Sequence, residues 1–213
     1  MKRIICFGDS NTYGHTPGTG LRQPEEVRWP CVLRRNLGPD FQVIEEGLNG
    51  RTIDQEDPET IGRNGMTYLV PCLRSHVPAD LLILMLGTND VKAIFPTTPE
   101  SIAASMGRMI DTAKEELAPY GGRILLVGPL PILPEMRYSE YAEMYGYEAA
   151  AGRAAALRPL YRVLAEEKGV FYWEPSDAVE VSLIDALHMS AQGQARFGEE
   201  ITPVVRKILD DVK

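Results

Sequence analysis

Ser10, Asp185 and His188 are the residues whose types can together make a nucleophile. A serine hydroxyl attacks weakly until a base removes its proton, and histidine is the usual base. The histidine in turn needs an acceptor on its other ring nitrogen, which fixes the tautomer and stabilises the cation that forms. Asp185 precedes His188 by three positions, so a single turn of chain can aim its carboxylate at the ring. The chemistry also needs donors for the oxygen that becomes negative, usually backbone N–H groups with an amide side chain. The N–H groups of Ser10 and Gly50 and the side chain of Asn89 are candidates. Each residue has a plainer reading as well. Asp9-Ser10-Asn11-Thr12 is turn and cap chemistry, Asn89 is a turn former, and a D-x-x-H pair near a helix start is often a cap. A second chemistry is open at the same place, because an aspartate directly after a first strand, here Asp9, can bind Mg2+ or accept a phosphoryl group. Asp90 would be its second carboxylate. That alternative lacks a further aspartate two positions after Asp9, where Asn11 stands, and it leaves His188, Asn89 and Gly50 without roles.

Residues so far apart in the chain need a scaffold that gathers them. Ile4 to Phe7, Phe41 to Ile44, Leu81 to Leu86, Arg123 to Val127 and Gly169 to Trp173 read as five strands. The unbroken apolar run from Leu81 marks a strand covered on both faces. Helical stripes lie between and after them: Trp29, Val32, Leu33 and Leu37; Leu69, Cys72, Leu73 and His76; and Ile102 to Leu117, opened by the cap Thr98 and by Pro99. An alanine-rich helix is expected over Glu148 to Lys168, and a last one behind Ser190 with Phe197, Ile201, Val204, Val205 and Ile208 on one face. Pro159 predicts a kink or interruption in the first of these, and Pro203 a bend in the second. Tyr13 to Glu26 reads as a surface loop, and Met136 to Tyr147 has no assignable period. The alternation predicts an α/β fold with a parallel sheet, right-handed crossovers and helices on both faces. Ligands of such sheets bind outside the carboxyl ends of the strands. Those ends read Asp9-Ser10, Leu48-Asn49-Gly50 and Thr88-Asn89-Asp90, with Asp185 and His188 after the fifth strand.

A chain of 213 residues suits one well-cored domain over 1–213, with no repeat or linker visible. The formal net charge of −8 argues against nucleic acid or an anionic membrane as partner. No run approaches a membrane span, and Met1-Lys2-Arg3 precedes an apolar stretch too short for a signal peptide, so a cytoplasmic setting is expected. Cys6, Cys31 and Cys72 show no C-x-x-C spacing and read as small buried hydrophobes. His15, His76 and His188 lie far apart without ligand spacing, so neither a metal nor another cofactor is expected.

Gly8-Asp9-Ser10, Leu48-Asn49-Gly50-Arg51-Thr52, Gly87-Thr88-Asn89-Asp90 and Asp185-Ala186-Leu187-His188 resemble, in order, the sequence blocks of the SGNH (GDSL-type) hydrolases. Val27-Arg28-Trp29, Val43 to Leu48 and Met85 to Lys92 are similar to the bacterial arylesterase/acyltransferase branch. The resemblance implies a three-layer α/β/α sandwich on a five-stranded parallel sheet, the flavodoxin-like SGNH hydrolase fold. It implies Ser10 as nucleophile, His188 as base and Asp185 as its orienter, with Gly50 and Asn89 joining the Ser10 amide as oxyanion donors. The activity implied is a Ser-His-Asp esterase acting on aryl or alkyl esters through an acyl-enzyme; carbohydrate O-deacetylation would use the same machinery. A short chain with no long apolar insertion to form a lid predicts short acyl groups. Acyl transfer to alcohols and homo-oligomers come with that branch, and a small-molecule ester is the expected partner. Asn11 stands where the commonest pattern has leucine, which predicts a more polar pocket wall. Met136 to Tyr147 is expected to shape the acyl or alcohol pocket. Arg51 and Lys92 read as solvated, Trp29 as a core or interface residue, and Tyr138, Tyr141, Tyr145 and Tyr147 as packing.

Overall fold

Strands and helices alternate throughout the computed structural model, which describes residues 1–147 and 149–210. Strand β1 (Lys2–Gly8) is followed by the single turn α1 (Ser10–Tyr13), then by α2 (Trp29–Leu37) and β2 (Phe41–Gly47). Next come α3 (Gly65–His76), β3 (Leu81–Met85), α4 (Pro99–Leu117) and β4 (Arg123–Val127). A 3-10 turn (Pro134–Tyr138) and the short α5 (Ala142–Tyr145) precede α6 (Ala149–Lys168), β5 (Phe171–Trp173) and α7 (Ala191–Asp210). All five strands pair in parallel in the order β2-β1-β3-β4-β5. This is the expected three-layer α/β/α arrangement.

Side chains alternate across a strand, so each central strand feeds two cores. Ile5, Phe7, Leu82 and Leu84 pack under Leu69 and Leu73 of α3, Met106 and Ile110 of α4, and Leu157 and Tyr161 of α6. Ile4, Cys6, Leu81, Ile83 and Met85 face Trp29 and Leu33 of α2 and Phe197, Ile201 and Val205 of α7. Trp29 is therefore a core residue, fully buried against Phe197. The three cysteines are free and buried.

Helix α4 opens on a capping box: Thr98 Oγ1 accepts from the Ser101 N–H at 3.2 Å, and Ser101 Oγ accepts from the Thr98 N–H at 2.9 Å. Helices α6 and α7 are both continuous through Pro159 and Pro203, so the chain is not interrupted at Pro159. Each proline removes one backbone bond, while the buried apolar faces of both helices hold them along their length against the sheet. The expected start of α6 at Glu148 lies outside the described residues. No helix among the described residues is long and apolar enough to cross a membrane.

Candidate active site

The edge formed by the carboxyl ends of the strands holds all the candidate residues. Strand β1 ends at Gly8, where a Cβ would lie 2.1 Å from Thr12 Oγ1 and 2.9 Å from the Met85 carbonyl. Only glycine lets the chain fold back this tightly. Asp9 then caps α1, accepting the Asn11 N–H at 2.9 Å, and Ser10 becomes the first residue of that turn. Ser10 is held in place while its hydroxyl meets the cavity.

His188 arrives from a loop whose shape depends on Asp185. Asp185 Oδ1 accepts the Leu187 and His188 N–H groups at 3.1 and 3.0 Å, and Ala186 between them adopts a left-handed φ of 59°. Its other oxygen lies 2.8 Å from His188 Nδ1. His188 Nε2 lies 2.8 Å from Ser10 Oγ. An Nδ1–H donated to Asp185 leaves Nε2 free to accept the serine proton. Burial alone would raise the Asp185 pKa, but the hydrogen bonds from His188 and the loop amides outweigh it and hold the group below its ordinary value. Asp185 stays ionised as an acceptor for the ring.

Gly50 lies in the turn after β2, with a φ of 78°. That turn is tied to β1 through the Leu48 N–H, which donates to the Gly8 carbonyl at 3.1 Å. The Asn89 amide has a fixed orientation. Its Nδ2 donates to the Arg51 carbonyl at 3.1 Å, and its Oδ1 accepts the Tyr145 hydroxyl at 3.0 Å. One N–H of Asn89 is left for an oxygen in the cavity. Ser10, Gly50, Asn89 and His188 line the same cavity, of about 230 Å3. Asp185 stands behind the histidine, fully buried.

Several expectations fail at this edge. Arg51 is buried rather than solvated: its guanidinium donates to the Gly8 carbonyl at 3.0 Å and to the Glu46 carbonyl, and it lies over the Phe7 ring at 4.2 Å. It clamps the ends of β1 and β2 through one guanidinium nitrogen that donates to a carbonyl of each strand. Lys92 is buried too, 3.9 Å from Asp57. Asn11 does not supply a pocket wall. Its Oδ1 accepts the Met189 N–H at 3.0 Å and its Nδ2 approaches the Leu187 carbonyl at 3.4 Å, so it fastens α1 to the His188 loop. The stretch Tyr13 to Glu26 is only partly a surface loop, since His15 and Gln23 are buried. Tyr138 and Tyr147 are exposed rather than packed, whereas Tyr141, Met144 and Tyr145 reach the cavity.

His15 and His188, distant in sequence, stack with ring centroids 4.1 Å apart. Burial and the neighbouring His188 hold the His15 pKa down at about 4. Nothing in its spacing marked His15, which reaches the site only because Gly14 ends α1 in a left-handed turn. Tyr145 was likewise hidden, in a stretch without a period. Among the described residues, two groups have ligand atoms of metal-binding type within 4.8 Å of one another: His15 with Asp185 and His188, and Glu46 with Cys72 and His76. Asp9 and Asp90 are both buried, Asp9 Oδ1 accepting the Asn11 N–H and both Asp90 oxygens the Ile53 N–H, and neither carboxylate lines the cavity.

The family described as GDSL-like lipase/acylhydrolase matches residues 6–196. Est24, a carbohydrate acetylesterase from Sinorhizobium meliloti, is 35% identical, with a TM-score of 0.90 over 98% of this chain and 100% of its own. The inhibitor-bound aryl esterase of M. smegmatis is 33% identical, also at a TM-score of 0.90, covering 98% of this chain and 100% of its own. The lipase/acylhydrolase of Enterococcus faecalis, 17% identical with a TM-score of 0.69 over 97% and 96% of the two chains, shares the fold. Among curated proteins none matches.

Proposed function

Because this chain belongs to the GDSL-like lipase/acylhydrolase family and is a carboxylic ester hydrolase, we propose that it cleaves short-chain acyl esters through a covalent acyl-enzyme on Ser10. The observation that carries this reading is the line of contacts from Asp185 Oδ2 through both His188 nitrogens to Ser10 Oγ, with 2.8 Å at each step, at the wall of a cavity. Ser10 Oγ attacks the ester carbonyl as its proton passes to His188 Nε2. The carbonyl oxygen takes up negative charge facing the N–H groups of Ser10 and Gly50 and the free N–H of Asn89. Collapse of this intermediate breaks the bond to the alcohol oxygen, which leaves with the proton from His188. Water then enters where the alcohol left and gives its proton to His188 Nε2 as it attacks the acyl carbonyl; the bond to Ser10 Oγ breaks, the acid is released and Ser10 takes the proton back.

The confined cavity supports a small acyl group, acetyl to butyryl. Each further methylene would contribute about 0.8 kcal/mol only where an apolar channel receives it. The relatives, an aryl esterase and a carbohydrate acetylesterase, support an aromatic or sugar alcohol as the other half. Acyl transfer to added alcohols belongs to the same reading, since an alcohol in place of water would attack the acyl-enzyme. The decisive experiment is labelling with a serine-directed organophosphonate, followed by turnover of p-nitrophenyl esters of rising chain length. The expected result is one adduct, on Ser10, with both adduct and turnover lost in Ser10→Ala. Turnover retained in Ser10→Ala would exclude the nucleophile, and kcat/KM still rising at octanoate would exclude the short-acyl preference.

A further inference from the structure

Besides Ser10 and the histidines, the cavity carries two cationic side chains, Arg63 and Lys92, and among the described residues no carboxylate lines it. The Lys92 side chain is 4% exposed, yet its nearest ionic partner, Asp57 Oδ2, is 3.9 Å away, beyond hydrogen-bond reach. No hydrogen bond of the Lys92 ammonium is found among the described residues. Asp57 is already engaged, accepting from Arg63 at 2.6 Å and from the Glu59 and Thr60 N–H groups at 2.9 and 3.1 Å. The Lys92 stem is buried, and its ammonium, with three donors and no hydrogen-bonded acceptor, meets the cavity. Arg63 repeats the pattern, because its Nε is buried without a partner while its guanidinium packs over Gly50. Asn49 Oδ1 in the same lining is also buried and unpaired. Burial and the neighbouring Arg63 cation both lower the Lys92 pKa, a strain that an arriving anion would relieve.

We infer that Lys92 and Arg63 form a subsite for a carboxylate carried by the ester substrate, close to its scissile bond. The inference rests on the Ser10 esterase reading and adds the substrate class: compact esters bearing one negative charge. Asp57, and more weakly the buried Asp9 and Asp90, offset the two cations from behind, so the charged side chains that meet the inner cavity are the positive ones. The sign reverses just outside, where an adjoining cavity shares Arg63 and Lys92 but adds Asp57, Glu59, Glu140 and Glu143. That acidic rim opposes extended polyanions, so the favoured anion is small enough to sit wholly within the inner cavity.

The test compares esters that differ only in charge. On the acyl side these are monophenyl succinate and phenyl succinamate, with spontaneous hydrolysis subtracted; on the alcohol side they are para-acetoxybenzoate and para-acetoxybenzamide. In one of the two pairs the carboxylate ester is expected to exceed its amide by about tenfold in kcat/KM, the scale of one charge-assisted contact. The ratio should shrink as ionic strength rises. It should fall towards unity in Lys92→Met and persist in Lys92→Arg, which keeps the charge. Ratios at or below unity in both pairs for the wild-type enzyme would overturn the subsite, whether or not the variants fold. An unchanged ratio in a folded Lys92→Met would overturn the role of Lys92. Failure of Ser10→Ala to abolish hydrolysis of phenyl acetate would instead overturn the esterase reading, and the subsite with it. Hydrolysis of phenyl acetate without charge preference leaves the esterase standing alone.

Discussion

Asn89 spends both ends of its amide on neighbours, and the pairing decides which atom faces the substrate. The Arg51 carbonyl can only accept, so Nδ2 must point there, and the Tyr145 hydroxyl donates to Oδ1. The remaining N–H is the donor proposed for the oxyanion, and such donors act mainly as the charge develops. Asn89→Ala is expected to lower kcat by about 10²–10³ with little change in KM. Tyr145→Phe keeps the donor but frees the amide to turn, so a smaller loss, again in kcat, is expected. Steady-state kinetics alongside thermal melts checks both; near wild-type kcat in Asn89→Ala would leave the oxyanion to backbone amides alone. At this scale the sequence was most legible where chemistry restricts residue type. Ser10, His188, Asp185 and Asn89 stand in blocks whose members have few substitutes. Arg51, Lys92, His15 and Tyr145 were not legible, because an arginine that clamps two strand ends looks like any surface arginine. Only the sheet's twist and turns tell them apart.

The elements position this chemistry through a small number of cross-ties. Helix α1 is one turn long and has little stability of its own. Asn11 fastens it to the His188 loop through Met189, and Gln194 of α7 joins the same junction by donating to the Asn11 carbonyl at 2.9 Å. Ser10 and His188 thus keep their spacing through a neighbour of each. Asn11→Ala leaves the Met189 N–H buried without its acceptor, at a cost of about 1–3 kcal/mol. The expected outcome is a lower urea midpoint together with a lower kcat, because the His188 loop is no longer pinned beside α1. A kcat that is unchanged when stability falls would show that Asp185 alone shapes the loop. The strands and the longer helices were readable from period and caps, since both faces of β3 are covered and Thr98 begins α4 as its type suggests. The uninterrupted passage of α6 and α7 through proline was not readable. It depends on how much apolar face each helix buries, a tertiary quantity that no local window contains.

Across the whole molecule, the sheet edge gathers charge that the solvent cannot reach. Burial raises Asp9 to about 6 from 3.8, and Asp90 to about 7 from 3.8, with Asp54 and Asp9 adding to the Asp90 shift. His15 moves the other way, to about 4 from 6.5. The signs differ in consequence. Between the unfolded and folded values of Asp90 the native state holds a proton that the unfolded chain has released. Stability therefore falls as pH rises from about 4 to about 7, and the loss is complete above the folded value. Asp9 acts in the same direction up to about 6, whereas for His15 the unfolded chain binds the extra proton, so its contribution to stability rises with pH between about 4 and 6.5. These windows overlap, so a single stability profile cannot assign them. The difference between the wild type and Asp90→Asn can, because the variant still offers an oxygen to the Ile53 N–H but has no proton to lose. The stability of the wild type relative to Asp90→Asn, from urea unfolding at a series of pH values, is expected to decline between about pH 4 and 7, by at most about 1.4 kcal/mol per pH unit, and to level off above. A difference that stays constant over that range would mean that Asp90 ionises as readily in the fold as in the open chain. The cost of holding that acid beneath the Asn89 turn would then be absent, and on the acid side the falling contribution of Asp9 and the rising one of His15 would oppose each other.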